Sequence, residues 1–251
     1  MGQVDAANER IRLDALLLQR ELVDSLAQAV ALIMDGQVLV DERKVSKPGT
    51  IVKQQVALRL LQQPMPWVSR GGFKLAHALD TFALTVQGMV CLDVGAATGG
   101  FTDVLLQRGA ARVYALDVGY GQLAWKLVQD GRVVVMDRCH ISRITPEQLP
   151  QAVDCLTMDV SFIGLEQALP PAVACLRGGG QGVVLIKPQF ELTRAEVTPG
   201  GVIHDPALQQ EAVARFHRLA DRLGLPVAGT TPSPILGPKG NQEYLACFRK
   251  P

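Results

Sequence analysis

The segment Cys91-Leu-Asp-Val-Gly-Ala-Ala-Thr-Gly-Gly-Phe-Thr102 constrains this 251-residue chain more than any other. An apolar run reaches Asp93, turns through Gly95, Gly99 and Gly100, and restarts as a predicted helix from Phe101 to Arg108. A strand that breaks into glycines and resumes as a helix presents backbone N–H groups at a positive helix end. That turn suits a nucleotide-like or carboxylate-bearing ligand. Further apolar runs at 113–116, 133–136, 153–158 and 182–186 each precede a helical or loop segment. Alternation of this kind predicts an α/β fold, a largely parallel sheet with helices on both faces. An amphipathic helix over 206–223 and strands at 227–230 and 244–248 complete it. Ligands bind such sheets at the carboxyl ends of strands, where the strand order reverses. The runs ending at Met158 and Ile186 are expected to flank that point.

Ahead of this region lies a smaller one. Residues 1–8 read as a tail, 9–61 as a compact unit, 62–67 as a linker with two prolines, and 68–251 as the sheet domain. Within the small unit, Leu13, Leu16 and Leu17 mark a short helix starting near Arg12. Leu26, Ala29, Val30 and Ile33 mark a second helix, stopped by Gly36. A hairpin over 37–46 and a closing strand over 56–60 follow.

Composition narrows the classes. With 48% hydrophobic residues, the chain can bury one good core and a small second one. A net charge of +1 gives no global field to attract nucleic acid. The five cysteines show no C-x-x-C spacing and read as buried small hydrophobes in a reducing compartment. The four histidines share no ligand spacing, so no metal is expected. No apolar stretch is long enough to span a bilayer and no signal peptide is seen, so a cytoplasmic protein is expected, without a membrane partner and as a monomer.

The glycine spacing is Asp93-x-Gly95-x-x-x-Gly99, which fails the dinucleotide fingerprint by register. A phosphate-clasping G-K-[ST] is also missing. Asp93 fits a cationic or zwitterionic ligand better than a phosphate. Asp117 closes the second strand, where a carboxylate can accept from both hydroxyls of a ribose. Together these features point to S-adenosylmethionine. Four further polar residues sit at element ends where packing alone would not place them. Lys74 opens the helix before the first strand, Asp159 ends the fourth strand, Lys187 the fifth, and Glu243 precedes the last. Asp159 and Lys187 are expected to face one pocket.

Ser69-Arg-Gly-Gly-Phe-Lys-Leu75, Asp93 to Asp103, Leu116-Asp-Val-Gly-Tyr-Gly-Gln-Leu123, Met158-Asp-Val-Ser-Phe162 and Ile186-Lys-Pro-Gln-Phe-Glu191 resemble the TlyA (hemolysin-A-type) family of rRNA 2′-O-methyltransferases. The resemblance runs from about Glu9 to Phe248. It implies a Rossmann-like, FtsJ-type methyltransferase sheet preceded by a small α+β RNA-binding domain of the kind named after ribosomal protein S-four. It also implies ribosomal RNA or ribosomal subunits as partner. The family's Lys–Asp–Lys–Glu tetrad falls on Lys74, Asp159, Lys187 and Glu243. Its cofactor residues fall on Asp93, Gly95, Ala96, Thr98, Gly99, Gly100, Phe101, Asp117 and Asp137. Arg12, Arg20, Arg43, Lys44, Lys47 and Lys53 become the RNA contacts. Three departures stand out: Ser25 is followed by Leu26 where the family places Ser-Arg, Asp41-Glu42 replaces its Asn-Gly turn, and Asp137-Arg-Cys-His140 replaces its Arg-Thr-Asn.

Other readings stay open. A non-catalytic ribosome-binding module could keep the cofactor pocket, and the small unit's balance of eight basic and eight acidic residues over 1–60 leans that way. The four-residue constellation leans against it, because mere binding has no use for Lys187 at a strand end. A nicotinamide oxidoreductase is disfavoured by the glycine register. A cytolysin, which the family's older name invites, would need an apolar span or an amphipathic pore-forming hairpin.

Overall fold

The computed structural model describes residues 10–61, 65–198 and 200–251. The expected tail, Glu9 and residues 62–64 of the expected linker lie outside them. The chain divides into two units, Met1–Pro66 and Trp67–Pro251.

The first unit opens with β1 (Arg10–Arg12) and α1 (Leu13–Gln19), then α2 (Leu26–Met34). Ser25 caps α2 by accepting from the Gln28 N–H, and the Gln28 side chain accepts in return from the Asp24 N–H. Next come β2 (Val38–Val40), β3 (Arg43–Lys44), β4 (Ile51–Lys53) and β5 (Leu58–Leu60). Strand β2 pairs antiparallel with β3 and with β5, while β1 and β4 form a separate ribbon. The helical leucines pack with Val23, Ala29, Ile33, Val38 and Val52 into one core. Arg12 therefore sits in a strand rather than a helix. The hairpin turn holds Asp41 and Glu42 at φ 48° and 62°, the left-handed conformation a two-residue hairpin requires. It is secured by Asp41 accepting from the Ala57 N–H and by Glu42 pairing with Arg59.

The second unit runs α3 (Gly71–Thr81), β6 (Val90–Val94), α4 (Gly100–Gln107), β7 (Arg112–Leu116), α5 (Trp125–Val128), β8 (Val133–Met136), β9 (Val153–Met158), α6 (Leu165–Cys175), β10 (Leu176–Ile186), α7 (Pro188–Glu191), α8 (Pro206–Arg222), β11 (Val227–Pro232) and β12 (Tyr244–Arg249). Its seven strands lie in the order β11-β12-β10-β9-β6-β7-β8. The pairings from β10 to β8 are parallel, and β12 runs antiparallel to both its neighbours. Side chains alternate between two cores. Leu92, Leu156 and Val184 pack with α6 and α8 on one face, and Cys91, Cys155 and Val183 with α3 and α4 on the other. Cys91 and Cys155 are thus small core residues, and the cysteines of the described residues are free thiols.

The order reverses between β6 and β9, because the chain runs outward through β7 and β8 and then returns to the other side of β6. The expected position between β9 and β10 is corrected accordingly, and Lys187 ends the strand one place beyond the reversal.

Candidate active site

Two cavities adjoin at this point. One, of about 450 Å³, opens over the ends of β6 and β7 and is lined by Gly95, Ala97, Leu116, Asp117, Val118, Gln122, His140, Ile141 and Ile163 among others. The second, of about 430 Å³, holds Lys74, Lys187, Gln189, Phe190, Lys239, Asn241 and Glu243. Gly95, Ala97, Asp159, Ser161 and Phe162 line both.

Gly95 makes this junction possible. Its φ is +82°, and a Cβ there would lie 2.4 Å from the Asp159 carbonyl oxygen, a contact no side chain allows. Strand-end hydrogen bonds fix the neighbours: Gly95 N–H donates to the Leu116 carbonyl, and Asp159 N–H to the Val94 carbonyl. Asp117 accepts from the backbone N–H groups of Gly119 (2.7 Å) and Ala97 (2.8 Å). Each of its oxygens keeps a further lone pair for a ligand.

The four polar residues come together in the second cavity. Lys187 Nζ lies 2.6 Å from Asp159 Oδ1, Lys74 Nζ lies 3.9 Å from Asp159 Oδ2, and Lys74 Nζ lies 2.6 Å from Glu243 Oε2. Lys187 also donates to the Ser161 hydroxyl at 2.9 Å. Only 6%, 7% and 1% of Lys74, Lys187 and Glu243 is exposed. Cations and anions alternate along this chain of contacts, three of the groups buried and Asp159 partly exposed, so their charges compensate one another. Glu243 Oε1 is buried without a partner among the described residues.

Several expected ligand residues are placed differently. Asp93 is fully buried and lines neither cavity. Its carboxylate accepts from the Thr102 hydroxyl at 2.7 Å and the Thr157 hydroxyl at 2.9 Å. Burial outweighs those bonds and pushes its pKa up to about 6. The Asp93 carboxylate ties β6 to α4 and β9 from behind the turn. Gly99, at φ +97°, is needed for packing, since a Cβ would lie 2.2 Å from a Leu127 methyl. Asp137 also lies off both cavities and accepts from the Gly121 N–H; His140 and Ile141 line the wall where it was expected. Ala96, Thr98, Gly100 and Phe101 border a smaller recess with Ser69 and Gly71. In the first unit, Arg12 is bonded to the buried Asp14, and Arg20 donates to the Gln54 and Val56 carbonyls. Both are exposed but tied to the fold by these bonds, whereas Arg43, Lys44, Lys47 and Lys53 are exposed and make no side-chain hydrogen bond or ion pair among the described residues.

Sequence reasoning missed Ala97, Ser161, Phe162, Gln189, Lys239 and Asn241 as cavity residues. Ser161 and Phe162 were legible in part, since both belong to Met158-Asp-Val-Ser-Phe162; Phe162 stands 92% exposed at φ +66° with its ring against Phe190.

Comparison with known proteins fixes the family. The FtsJ-like methyltransferase model matches residues 67–250, and the S4 domain model matches residues 11–56. The chain belongs to the FtsJ-like methyltransferases, in their TlyA branch. A TlyA relative from Mycobacterium tuberculosis, named 16S/23S rRNA (cytidine-2′-O)-methyltransferase, is 47% identical over 241 residues, covering 96% of this chain and 90% of the relative. Hemolysin A of Brachyspira hyodysenteriae is 38% identical, covering 95% of this chain and 99% of its own. A solved structure of a hemolysin-like protein from Streptococcus thermophilus superposes with a TM-score of 0.74 at 38% identity, covering 96% of this chain and 88% of that one. Among the described residues of this TlyA-type chain, no helix is long and apolar enough to cross a membrane.

Proposed function

We propose that the protein transfers the methyl group of S-adenosylmethionine to a ribose 2′-hydroxyl of ribosomal RNA, in the cytoplasm. The observation that carries this reading is the junction at Gly95 and Asp159, where a cavity walled by Asp117 and apolar side chains meets a cavity holding the Lys–Asp–Lys–Glu chain. The first cavity fits the cofactor: Asp117 offers acceptors for a ribose diol, Leu116, Val118, Ile141 and Ile163 offer apolar wall, and Gly95 leaves the backbone bare. When bound, the cofactor supplies an electrophilic methyl group on a sulfonium.

A 2′-hydroxyl is a poor nucleophile, so this chain's residues must position it and manage its proton. Lys187 is the group that meets it. Asp159 and Ser161 engage two of the three protons of its ammonium, which aims the third at the cavity. As an ammonium it stabilises charge growing on the 2′-oxygen; as an amine it accepts the proton. Lys74 and Glu243 hold the other side of Asp159. Docking on RNA falls to Arg43, Lys44, Lys47 and Lys53 through phosphate contacts.

Lys187→Ala is expected to abolish transfer of tritiated methyl to unmodified ribosomal subunits while the cofactor Kd, read by calorimetry, stays within about twofold. Full turnover by this variant would remove Lys187 from the reaction. A wild-type protein that binds subunits and cofactor but transfers no label would favour the non-catalytic reading.

A further inference from the structure

We propose that Gln189 reads the base of the target nucleotide, with its carboxamide facing the amino-bearing edge of a cytosine. The proposal rests on the methyltransferase reading above and names a residue that selects its substrate.

The polar groups of the catalytic cavity divide into satisfied and unsatisfied ones. Asn241 is spent on the fold, accepting from the Ile203 N–H and donating to the Gly201 carbonyl, both at 2.8 Å. Lys74, Asp159, Lys187 and Ser161 bond to one another or to Glu243. Two buried oxygens of this cavity lack a hydrogen-bond partner among the described residues, Glu243 Oε1 and Gln189 Oε1; Glu243 is already anchored through its other oxygen to Lys74, whereas Gln189 has no such anchor. An amide oxygen buried in that state costs on the order of 1–3 kcal/mol, and native structures rarely retain it without a use. Gln189 lies two residues past Lys187, on the short α7 that follows the strand end, and lines the same cavity. A ribose delivered to Lys187 brings its own base into this space, and about 430 Å³ accommodates a nucleoside.

Carboxamides read base edges by pairing one acceptor and one donor with their complements. Cytosine offers the N4 amino donor beside the N3 acceptor, and cytidine is the nucleoside in the name of the M. tuberculosis relative. A buried acceptor left without a donor is also what makes such a site reject a wrong base.

The test uses the full-length protein, tritiated S-adenosylmethionine and unmodified ribosomal subunits, with the labelled nucleotide mapped first. Gln189→Leu removes both donor and acceptor; Gln189→Glu keeps an acceptor. We expect label on a cytidine, at least a tenfold loss of kcat/KM in the leucine variant, a smaller loss in the glutamate variant, and an unchanged cofactor Kd for both. Subunits carrying uridine at the mapped position should be poor substrates for wild type, and the leucine variant should lose most of that preference. Label on a uridine, wild-type kcat/KM and preference in the leucine variant, or weakened cofactor binding in both variants would each overturn the role of Gln189. Wild-type protein that labels no ribose would instead overturn the methyltransferase reading beneath it.

Discussion

At the end of β6 a carboxylate could serve either a ligand or the fold, and two hydroxyls make the choice. Thr102 and Thr157 both donate to Asp93, so its charge is spent on joining three elements. The consequence is a pH dependence. Its pKa is about 6 when folded, against 3.8 for the free side chain. Between those values the folded state holds a proton that the unfolded state has lost, so this group's contribution to stability is full below about pH 4 and is lost as pH rises through 6. The difference amounts to about 3 kcal/mol. Glu191, raised to about 7 by burial where it accepts from the Leu165 N–H, acts in the same direction. Urea unfolding of Asp93→Asn at a series of pH values should therefore show a shallower decline between pH 4 and 6 than wild type, with the part owed to Glu191 remaining. An unaltered slope would show that Asp93 ionises freely. The sequence could not disclose this arrangement, because a strand-end aspartate reads alike in either role and one of its partners is 64 positions away. Ala97 was hidden for another reason: its contribution is a backbone N–H, and its methyl side chain carries no chemical signature.

Elements were legible where a period was sustained. The apolar runs of β6, β7 and β9 alternate between two cores and are recognisable from the sequence alone, as is α8 with its apolar stripe. The ribbon of β1 and β4 was not, since each strand has three residues and the first carries arginine at both ends. Helix α6 contains Pro170 and Pro171, which interrupt the pattern a helix would otherwise show. The turn from β6 into α4 was legible as a ligand site, but its glycines do different things. Gly95 opens the cavity junction, whereas Gly99 lets the turn close on Leu123 and Leu127 of the next βα unit. Gly99→Ala combines a left-handed backbone with overpacking and should destabilise by about 2–4 kcal/mol. Thermal unfolding measures this, and a change below about 1 kcal/mol would mean that α5 yields easily.

Over the whole molecule, charge is nearly balanced, and so is the small unit that carries the S4 match. Balance conceals a difference between its cations. Arg12, Arg20 and Arg59 are exposed but bonded within the unit, while the side chains of Arg43, Lys44, Lys47 and Lys53 are exposed and make no hydrogen bond or ion pair among the described residues. Reversing Arg43 and Lys44 to glutamate should weaken subunit binding at least tenfold and flatten its dependence on salt, with cofactor affinity unchanged. Filter binding across a range of potassium chloride concentrations gives both numbers, and equal slopes would move RNA docking elsewhere. The two cavities of the larger unit share Gly95, Ala97, Asp159, Ser161 and Phe162 as a common wall. A wall that two ligands press from opposite sides makes each a modulator of the other, and thermodynamic reciprocity requires the influence to be equal both ways. RNA that tightens the hold on cofactor by some factor must itself be held more tightly, by that same factor, once cofactor is aboard. The enzyme would then release a spent cofactor and a finished ribosome as partners in one exchange.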